Sequence, residues 1–437
     1  KLYQGRMWKT LTREMKDSGV EWIGEIPKEW DVTKFKYVAN LYTGVSIKDS
    51  DKDDYIFEEE AYPYIATKDV EFNTNSVDFS NTLFTKKNDE KFKVAKAGSS
   101  LICIEGGSAG RKKAYLDRDV TFGNKLCCLE PLRVKDRYLN YFINSQVFEN
   151  HFYNQMRGMI SGVSVSALKN FNIPIPPESE QKKIINFLKQ KVSTINKIIQ
   201  STISSVEELK KYKQSLITEA VTKGLNPNVE MKDSGIEWIG QVPRKWQVIK
   251  INQLFSIKKV IANQLGLDVF SVTQNGLKIR DVTKNEGQMS ADYSKYQIVE
   301  KEDFVMNHMD LLTGWVDIAE QKGVTSPDYR VFYNKQRDKV FNKYFLYVLQ
   351  LGYMNKIFFG LGQGVSNAGR WRLQTDKFLN YYVPLPSREE QEEIVNYLNH
   401  KNKVINKLIK EKELLLDELE SFKKSLIYEY VTGKKTV

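Results

Sequence analysis

The sequence predicts an α+β chain: two mixed α/β domains separated by a pair of long coiled-coil helices, arranged as a pseudo-twofold internal repeat. Three observations predict it. A sixteen-residue segment is written twice, "MKDSGVEWIGEIPKEW" at Met15–Trp30 and "MKDSGIEWIGQVPRKW" at Met231–Trp246. A second echo, offset by 210, aligns "IPIPPESEQKKIINFLKQKVSTINKIIQ" (173–200) with "VPLPSREEQEEIVNYLNHKNKVINKLIK" (383–410) and runs on to "KQSLITEAVT" against "KKSLIYEYVT". Between the echoes lie two bodies that share almost no sequence. Self-similarity at a fixed spacing marks a repeated structural unit.

In chain order this gives a lead segment 1–30, a first body 31–172, a central region 173–230 with a long helix, a repeated lead segment 231–246, a second body 247–382 and a distal region 383–437 with the second long helix. The bodies read as strand-rich. "SLICIEG" (100–106), "DVTFGNKLCCLEP" (119–131) and "RVFYN" (330–334) carry β-branched and aromatic residues bounded by turn formers. "RYLNYFINSQVFENHFYNQM" (137–156) and "KYFLYVLQLGYMNKIFF" (343–359) read as amphipathic helices, each followed by a glycine-bearing loop.

The terminal segments of each copy predict helices of about 45 residues, or about 65 Å at 1.5 Å per residue. Pro174, Pro176 and Pro177 end the strand or loop before the first, and Ser387-Arg-Glu-Glu390 is a capping box opening the second. Apolar positions recur mostly in 4-3 steps at Leu188, Val192, Ile195, Ile199, Val206, Leu209, Tyr212 and Leu216, then at Leu398, Ile405, Ile409, Leu416, Leu419, Phe422 and Leu426. Such a seam asks for a partner helix, and the other copy is the economical choice. Thr202, Asn402 and Lys412 interrupt the seam at positions that fix register.

Composition narrows the function. At 437 residues, 41% hydrophobic and 28% charged, the chain has the makeup of an ordinary globular protein with room for several domains. No run of about 18 apolar residues is present, so no membrane span is expected. The first residues lack the apolar core of a secretory signal, and the chain starts on Lys1, so further residues are expected before it. Cys103, Cys127 and Cys128 are too few and too poorly spaced for a disulfide framework or zinc site, which fits a reducing cytoplasm.

A formal net charge of +11 points to a polyanionic partner. The bodies themselves are nearly balanced, with 20 basic against 19 acidic residues over 31–172 and 18 against 13 over 247–382. Nucleic acid would therefore meet patches rather than a uniformly basic surface, with acidic 48–60 turned away.

The paired "KDSGxEWIGxxPxxW" segments, the "IPIPPESEQ" and "VPLPSREEQ" stretches and the helices ending "SLIxExVT" resemble the DNA-specificity subunit of type I restriction–modification systems, over nearly the whole chain from Met15 to about Thr432. The resemblance implies that each body is a target-recognition domain reading one half of a bipartite DNA sequence. The helices would form an antiparallel coiled coil that spaces the domains and docks two methyltransferase subunits. It also implies that the chain has no catalysis and binds no cofactor of its own. S-adenosylmethionine would sit on the partner methyltransferase, which methylates an adenine in each half-site, and restriction subunits would add ATP-driven translocation and cleavage. Half-sites read from one face of a duplex lie about a helical turn apart, so a rigid spacer selects the gap. Trp22, Trp30, Trp238 and Trp246 are read as apolar anchors joining body to frame, because copied residues carry no half-site discrimination.

Motifs for catalysis are missing. No Asn/Asp-Pro-Pro-aromatic loop, no phosphate loop and no nucleophile–base constellation is present, and His151, His308 and His400 are scattered. "CIEGGSAGRKK" (103–113) is a lone glycine cluster without a matching acidic strand end.

Arg or Lys reads guanine and Asn or Gln reads adenine, so polar loops are the candidate DNA contacts. In the first body these are Lys68, Arg111, Lys112, Lys113, Asn124, Lys125, Arg157 and Ser161. In the second they are Gln274, Asn275, Lys278, Arg280, Asn307, Gln363, Asn367, Arg370 and Arg372, with His308 read as structural. Each is equally an ordinary solvated loop residue. The expected helix-pairing and partner-docking residues are Leu188, Val192, Ile195, Ile199, Leu209, Leu216, Leu398, Ile405, Ile409, Leu416, Leu419 and Leu426. The rival readings are a free-standing duplicated DNA-binding regulator, a coiled-coil scaffold with protein-binding heads, and a self-contained methyltransferase.

Overall fold

A computed structural model describes residues 13–56, 59–72, 74–80, 82–156, 162–280, 293–364 and 371–437. They fall into two compact units. One runs to Ile203 and takes in Leu414–Val437; the other is Ser204–Glu413. Each unit holds one body (hereafter a head), one lead segment, the start of one long helix and the end of the other.

In the first unit, one four-stranded sheet has the order Leu83–Lys86, Ala61–Ile65, Val120–Phe122, Val94–Ala95, and a second has Ala39–Thr43, Leu126–Pro131, Ser100–Cys103, Lys113–Tyr115. In the second unit the corresponding sheets run Gly276–Ile279, Val269–Thr273, Gly323–Thr325, Gln297–Val299 and Phe255–Lys258, Arg330–Asn334, Phe304–Met306, Val316–Ile318. The strand orders match element for element. Each head has one parallel pairing at the same place, Thr121 opposite Tyr64 and Val269 opposite Val324, in otherwise antiparallel sheets. Two heads with almost no shared sequence thus have one topology. Their central strands, such as Ser100–Cys103 and Phe304–Met306, are buried at every position.

Both long aromatic segments are two helices rather than one. In the first head Asp136–Ile143 and Gln146–Met156 are separated where Asn144 and Ser145 bond back to the carbonyls of Asn140 and Phe142. In the second, Asn342–Met354 and Ile357–Gly360 are separated by Lys356, at φ +55°. Polar side chains competing for backbone groups, or one left-handed residue, end a helix that periodicity alone would continue.

The lead segments act as clasps. Each is a small hairpin, Met15–Asp17 with Glu25–Pro27 and Met231–Asp233 with Gln241–Pro243. A strand pair then closes each head, Asp31–Lys34 with Asn172–Ile175 and Gln247–Lys250 with Tyr382–Leu385. Trp30 and Trp246 are completely enclosed. Their indole N–H groups donate to Glu180 (2.9 Å) and Glu390 (3.2 Å), in the first turn of the long helix that follows. One residue on, Gln181 and Gln391 each accept a head backbone N–H, from Lys135 and Phe341, at 3.0 and 2.8 Å. The "EQ" of both helix starts is therefore a two-residue latch onto the head. Trp22 stacks on His151 at 4.2 Å and Trp238 on Tyr381 at 5.3 Å. All four tryptophans are apolar anchors between head and frame.

The long helices span Glu178–Lys223 and Arg388–Val431. The capping box forms, with Ser387 N–H donating to Glu390 Oε2 and Glu390 N–H to Ser387 Oγ. The helices pair antiparallel within each unit. Phe187 meets Tyr430 and Asn196 meets Lys423 in the first; Lys210 meets Glu413 and Lys213 meets Asn406 in the second. Leu188, Ile195, Ile199, Leu216, Leu398 and Ile405 are buried, Leu188 in the core of the first head and Leu216, Leu398 and Ile405 in that of the second, and Val192, Leu209, Ile409, Leu416, Leu419 and Leu426 are half-buried.

Two seam positions differ from the sequence expectation. Tyr212 and Phe422 are 53% and 57% exposed, and the residues after them, Lys213 and Lys423, occupy the seam. Strict 4-3 stepping from Leu209 and Leu419 lands on the lysines; their aliphatic stems lie along the seam while the ammonium groups reach Asn406 and Asn196. Two of the polar interruptions make hydrogen bonds, although Asn402 Oδ1 is buried without a partner. Thr202 Oγ1 donates to Ile198 O, and Asn402 Nδ2 to Tyr347 Oη.

Candidate nucleic-acid interface

The first head brings several sequence-selected residues together. Lys68 lies on the short 3-10 turn Thr67–Asp69, and Lys112 Nζ donates to the carbonyl of Thr67 at 2.9 Å, pinning that turn to the glycine-rich loop. Lys68, Asn124 and Lys125 line one cavity of about 300 Å³ with Lys52 and Tyr64. Asn124 is held there by Ser46, whose hydroxyl donates to Asn124 Oδ1 at 2.7 Å. Arg111 and Lys112 flank the ring of Phe72 at 5.1 and 4.8 Å. Phe72 is 44% exposed, an aromatic ring with two cations close to it. Phe72 carries no sequence signal of this role, because a lone Phe in a polar loop has no periodicity. Only the bridge joining Phe72 to Lys112 places it there.

Lys113 sits elsewhere. It is 4% exposed, inside the unit, where its ammonium donates to Ile143 O at 3.0 Å and pairs with Glu149 at 2.6 Å. Burial pushes the lysine down, with Glu149 opposing. Burial would raise Glu149, but Lys113 and Lys424 outweigh it and hold the carboxyl below its usual value. Arg157 and Ser161 lie outside the described residues.

In the second head, Gln274 and Asn275 form the exposed tip of a hairpin whose Gly276, at φ +94°, supplies the left-handed residue that so tight a turn needs. Lys278 is exposed on the returning strand, and Arg280, half-buried, closes the hairpin through its N–H to Val269 O. Asn307 spends its side-chain oxygen on Met309 N–H and its carbonyl on Tyr353 Oη–H. Gln363 and Arg372 are exposed and paired by reciprocal backbone bonds, and Leu373 N–H donates to His308 O, which ties residues 372–373 to the 307–308 turn. Buried Arg330 underpins it by donating to Leu373 O at 2.9 Å. His308 is pushed down to about 4 by burial and by Arg330 and Arg372, so it is neutral near pH 7. Asn367 and Arg370 lie outside the described residues.

The arrangement offers cations, amides and an aromatic face on loops carried by rigid sheets, which suits reading a polyanion with base edges. Among the described residues no three His, Cys, Asp or Glu side chains gather as metal ligands, and no helix is long and apolar enough to cross a membrane.

Comparison with known proteins agrees. The family described as type I restriction modification DNA specificity domain matches twice, over residues 27–208 and 243–418. The chain is 24% identical to the type I restriction enzyme MjaVIII specificity subunit of Methanocaldococcus jannaschii, covering 94% of this chain and 93% of that one. It is 20% identical to the EcoBI specificity subunit of Escherichia coli, covering 98% and 90%. A solved chain described under "complex assembly and conformational transition of the type I R-M system" shares the fold, with a TM-score of 0.67 at 14% identity over 94% of this chain and 99% of that one. Both family matches cover a head together with its flanking frame, and the chain belongs to the type I restriction–modification DNA specificity family.

Proposed function

We propose that this chain is the non-catalytic, DNA-reading subunit of a type I restriction–modification complex. Each head reads one half of a split, asymmetric target, and the helix pair sets the gap between the halves. The observation that carries this reading is the contrast between heads. They share every sheet connection and the same anchoring to the frame, yet they present different loop chemistry. Such a design reads two different half-sites from one scaffold.

The partners in this reading are double-stranded DNA and two methyltransferase subunits, with S-adenosylmethionine bound by the latter and restriction subunits completing the nuclease form in the cytoplasm. The exposed pairs Ile198/Leu408 and Tyr212/Phe422 support two like partners. Each pair occupies equivalent positions of the two helices and is apolar and open, from 41% to 57% exposed. Apolar residues repeated on an exposed frame suit the same partner twice.

Modification-sensitive sequencing of the source genome with and without this gene tests the proposal. Loss of adenine methylation at one split motif is the expected result. An unchanged methylome, combined with tight duplex binding by the chain alone, would instead favour a free-standing regulator.

A further inference from the structure

Within the first unit, a cavity of about 570 Å³ opens where the first head meets the paired helices. Seven Lys and Arg residues line it against two Glu. Both glutamates are already committed. Glu149 pairs with Lys113 and Lys424, at 2.6 and 2.9 Å, and Glu420 with Lys423 at 2.8 Å. That leaves Arg111, Arg137, Lys189 and Lys197, which have no ion-pair partner among the described residues. Arg137 is held over the ring of Tyr115, its Cζ 3.4 Å from the ring centre, which places its guanidinium without neutralising it. Neutral donors stand beside these cations. Asn144 and Asn140 form an amide network with Asn75, itself at φ +60°, and Ser193 and Asn196 line the helix side.

The counterpart in the second unit has the opposite character. The cavity of about 520 Å³ beside residues 343–350 and Asn399 has Lys301 and Lys343 against Glu302, Asp317 and Glu320. Its helix residue Asn399 stands 210 positions after Lys189, and Lys407, the counterpart of Lys197, is paired with Glu411. One cleft has a surplus of unpaired cations and the other does not. The surplus belongs to this unit, not to the repeated frame.

We propose that the first unit's cleft is a phosphate-binding site with no equivalent in the second. The phosphate comes either from a duplex backbone, in which case the site deepens the DNA-reading function above and rests on it, or from a free phosphate species. An excess of unpaired cations beside hydroxyl and amide donors in a cleft recognises that chemistry from either source.

The test uses the full chain assembled with its methyltransferase partners, comparing wild type, Lys189→Gln/Lys197→Gln and, as the control, Lys301→Gln/Lys343→Gln. All four lysines lie on the surface, so the folds are expected to persist, checked by unchanged melting without ligand. The first readout is the slope of log K against log salt for duplex DNA carrying the target. Each lost phosphate contact lowers the slope by about 0.9. A fall of about one to two in the cleft variant alone, at unchanged site preference, assigns the phosphate to DNA. The second readout is the rise in melting temperature with pyrophosphate in the absence of DNA. A rise in wild type that the cleft variant loses, with an unchanged salt slope, assigns it to free phosphate. If neither readout separates the cleft variant from wild type and control, the proposal is overturned while the DNA-reading function stands. If wild type shows no site-specific binding at all, the DNA-reading function fails, and the pyrophosphate readout still decides the cleft.

Discussion

At the strand position where the first head carries Lys113, opposite Ile102, the second carries Val316, opposite Met306, and both side chains are buried. The frame meets the heads there with a matching substitution. Lys424, on the second long helix, pairs with Glu149 of the first head. Gln214, its counterpart 210 positions earlier, donates to Met354 O of the second. One interface is thus locked by a lysine–glutamate–lysine cluster and the other by apolar packing with neutral hydrogen bonds. A buried cation is tolerated only when paired, so the first head is tied to its helix by charges that must be present together. A repeated frame can therefore carry unrelated heads as long as the contact residues change in step.

The largest expected effect tests that difference directly. Glu149→Ala strands Lys113 in the interior and should destabilise the first unit by about 3–5 kcal/mol. Gln214→Ala removes two neutral hydrogen bonds, to Met354 O and Asn355 Oδ1, and should cost the second about 0.5–1.5 kcal/mol for each. Urea denaturation of both variants gives the two values, and equal costs would dissolve the contrast.

The same cluster predicts an acid dependence. Because the folded Glu149 carboxyl lies below its ordinary value of 4.5, its contribution is complete above about pH 4.5 and is lost as the pH falls through the lower folded value. A Glu149→Gln variant, followed by thermal melting across that range, should lack this component.

Where the frame is copied, the two units should respond alike. Trp30→Ala and Trp246→Ala should each cost about 3–5 kcal/mol, within error of one another. A large difference between them would show that one clasp matters more than the geometry implies. Smaller still is the effect at Tyr138 and Tyr344, two fully buried tyrosines at equivalent places. Tyr138 Oη lies 2.9 Å from the carbonyls of Val431 and Pro174, and Tyr344 Oη donates to Val221 O at 2.8 Å, so each holds the end of the other copy's helix. Phe at either position should cost about 0.5–1.5 kcal/mol, measured in the same urea series.

Gly224 and Gly433 close those helix ends in the left-handed region, at φ +76° and +71°. A Cβ at Gly433 would stand 2.3 Å from Pro27, and one at Gly224 would stand 3.1 Å from Trp246. These glycines end the helices where the lead segments must pass close by.

By itself the sequence determined the frame. Repetition named the lead segments, capping chemistry placed the start of the second helix at Ser387, and 4-3 periodicity found most of the seam, because these signals are local and each is written twice. It also showed where variable loops lie, since glycine and polar clusters between apolar strands mark turns. Tertiary structure decided the rest. Nothing local distinguishes Arg111 and Lys112, beside Phe72, from Lys113, because all three stand in one "GRKK" run. Lys113 is inside because its strand pairs with Ser100–Cys103 and Glu149 lies beneath it, 36 residues away in sequence. Tyr212 and Lys213 exchanged places for a similar reason, since hydrophobicity favours the tyrosine while helix geometry gives the seam to the lysine. The one topology of the two heads was equally out of reach, because strand order is set by long-range pairing, which unrelated sequences can satisfy in the same way.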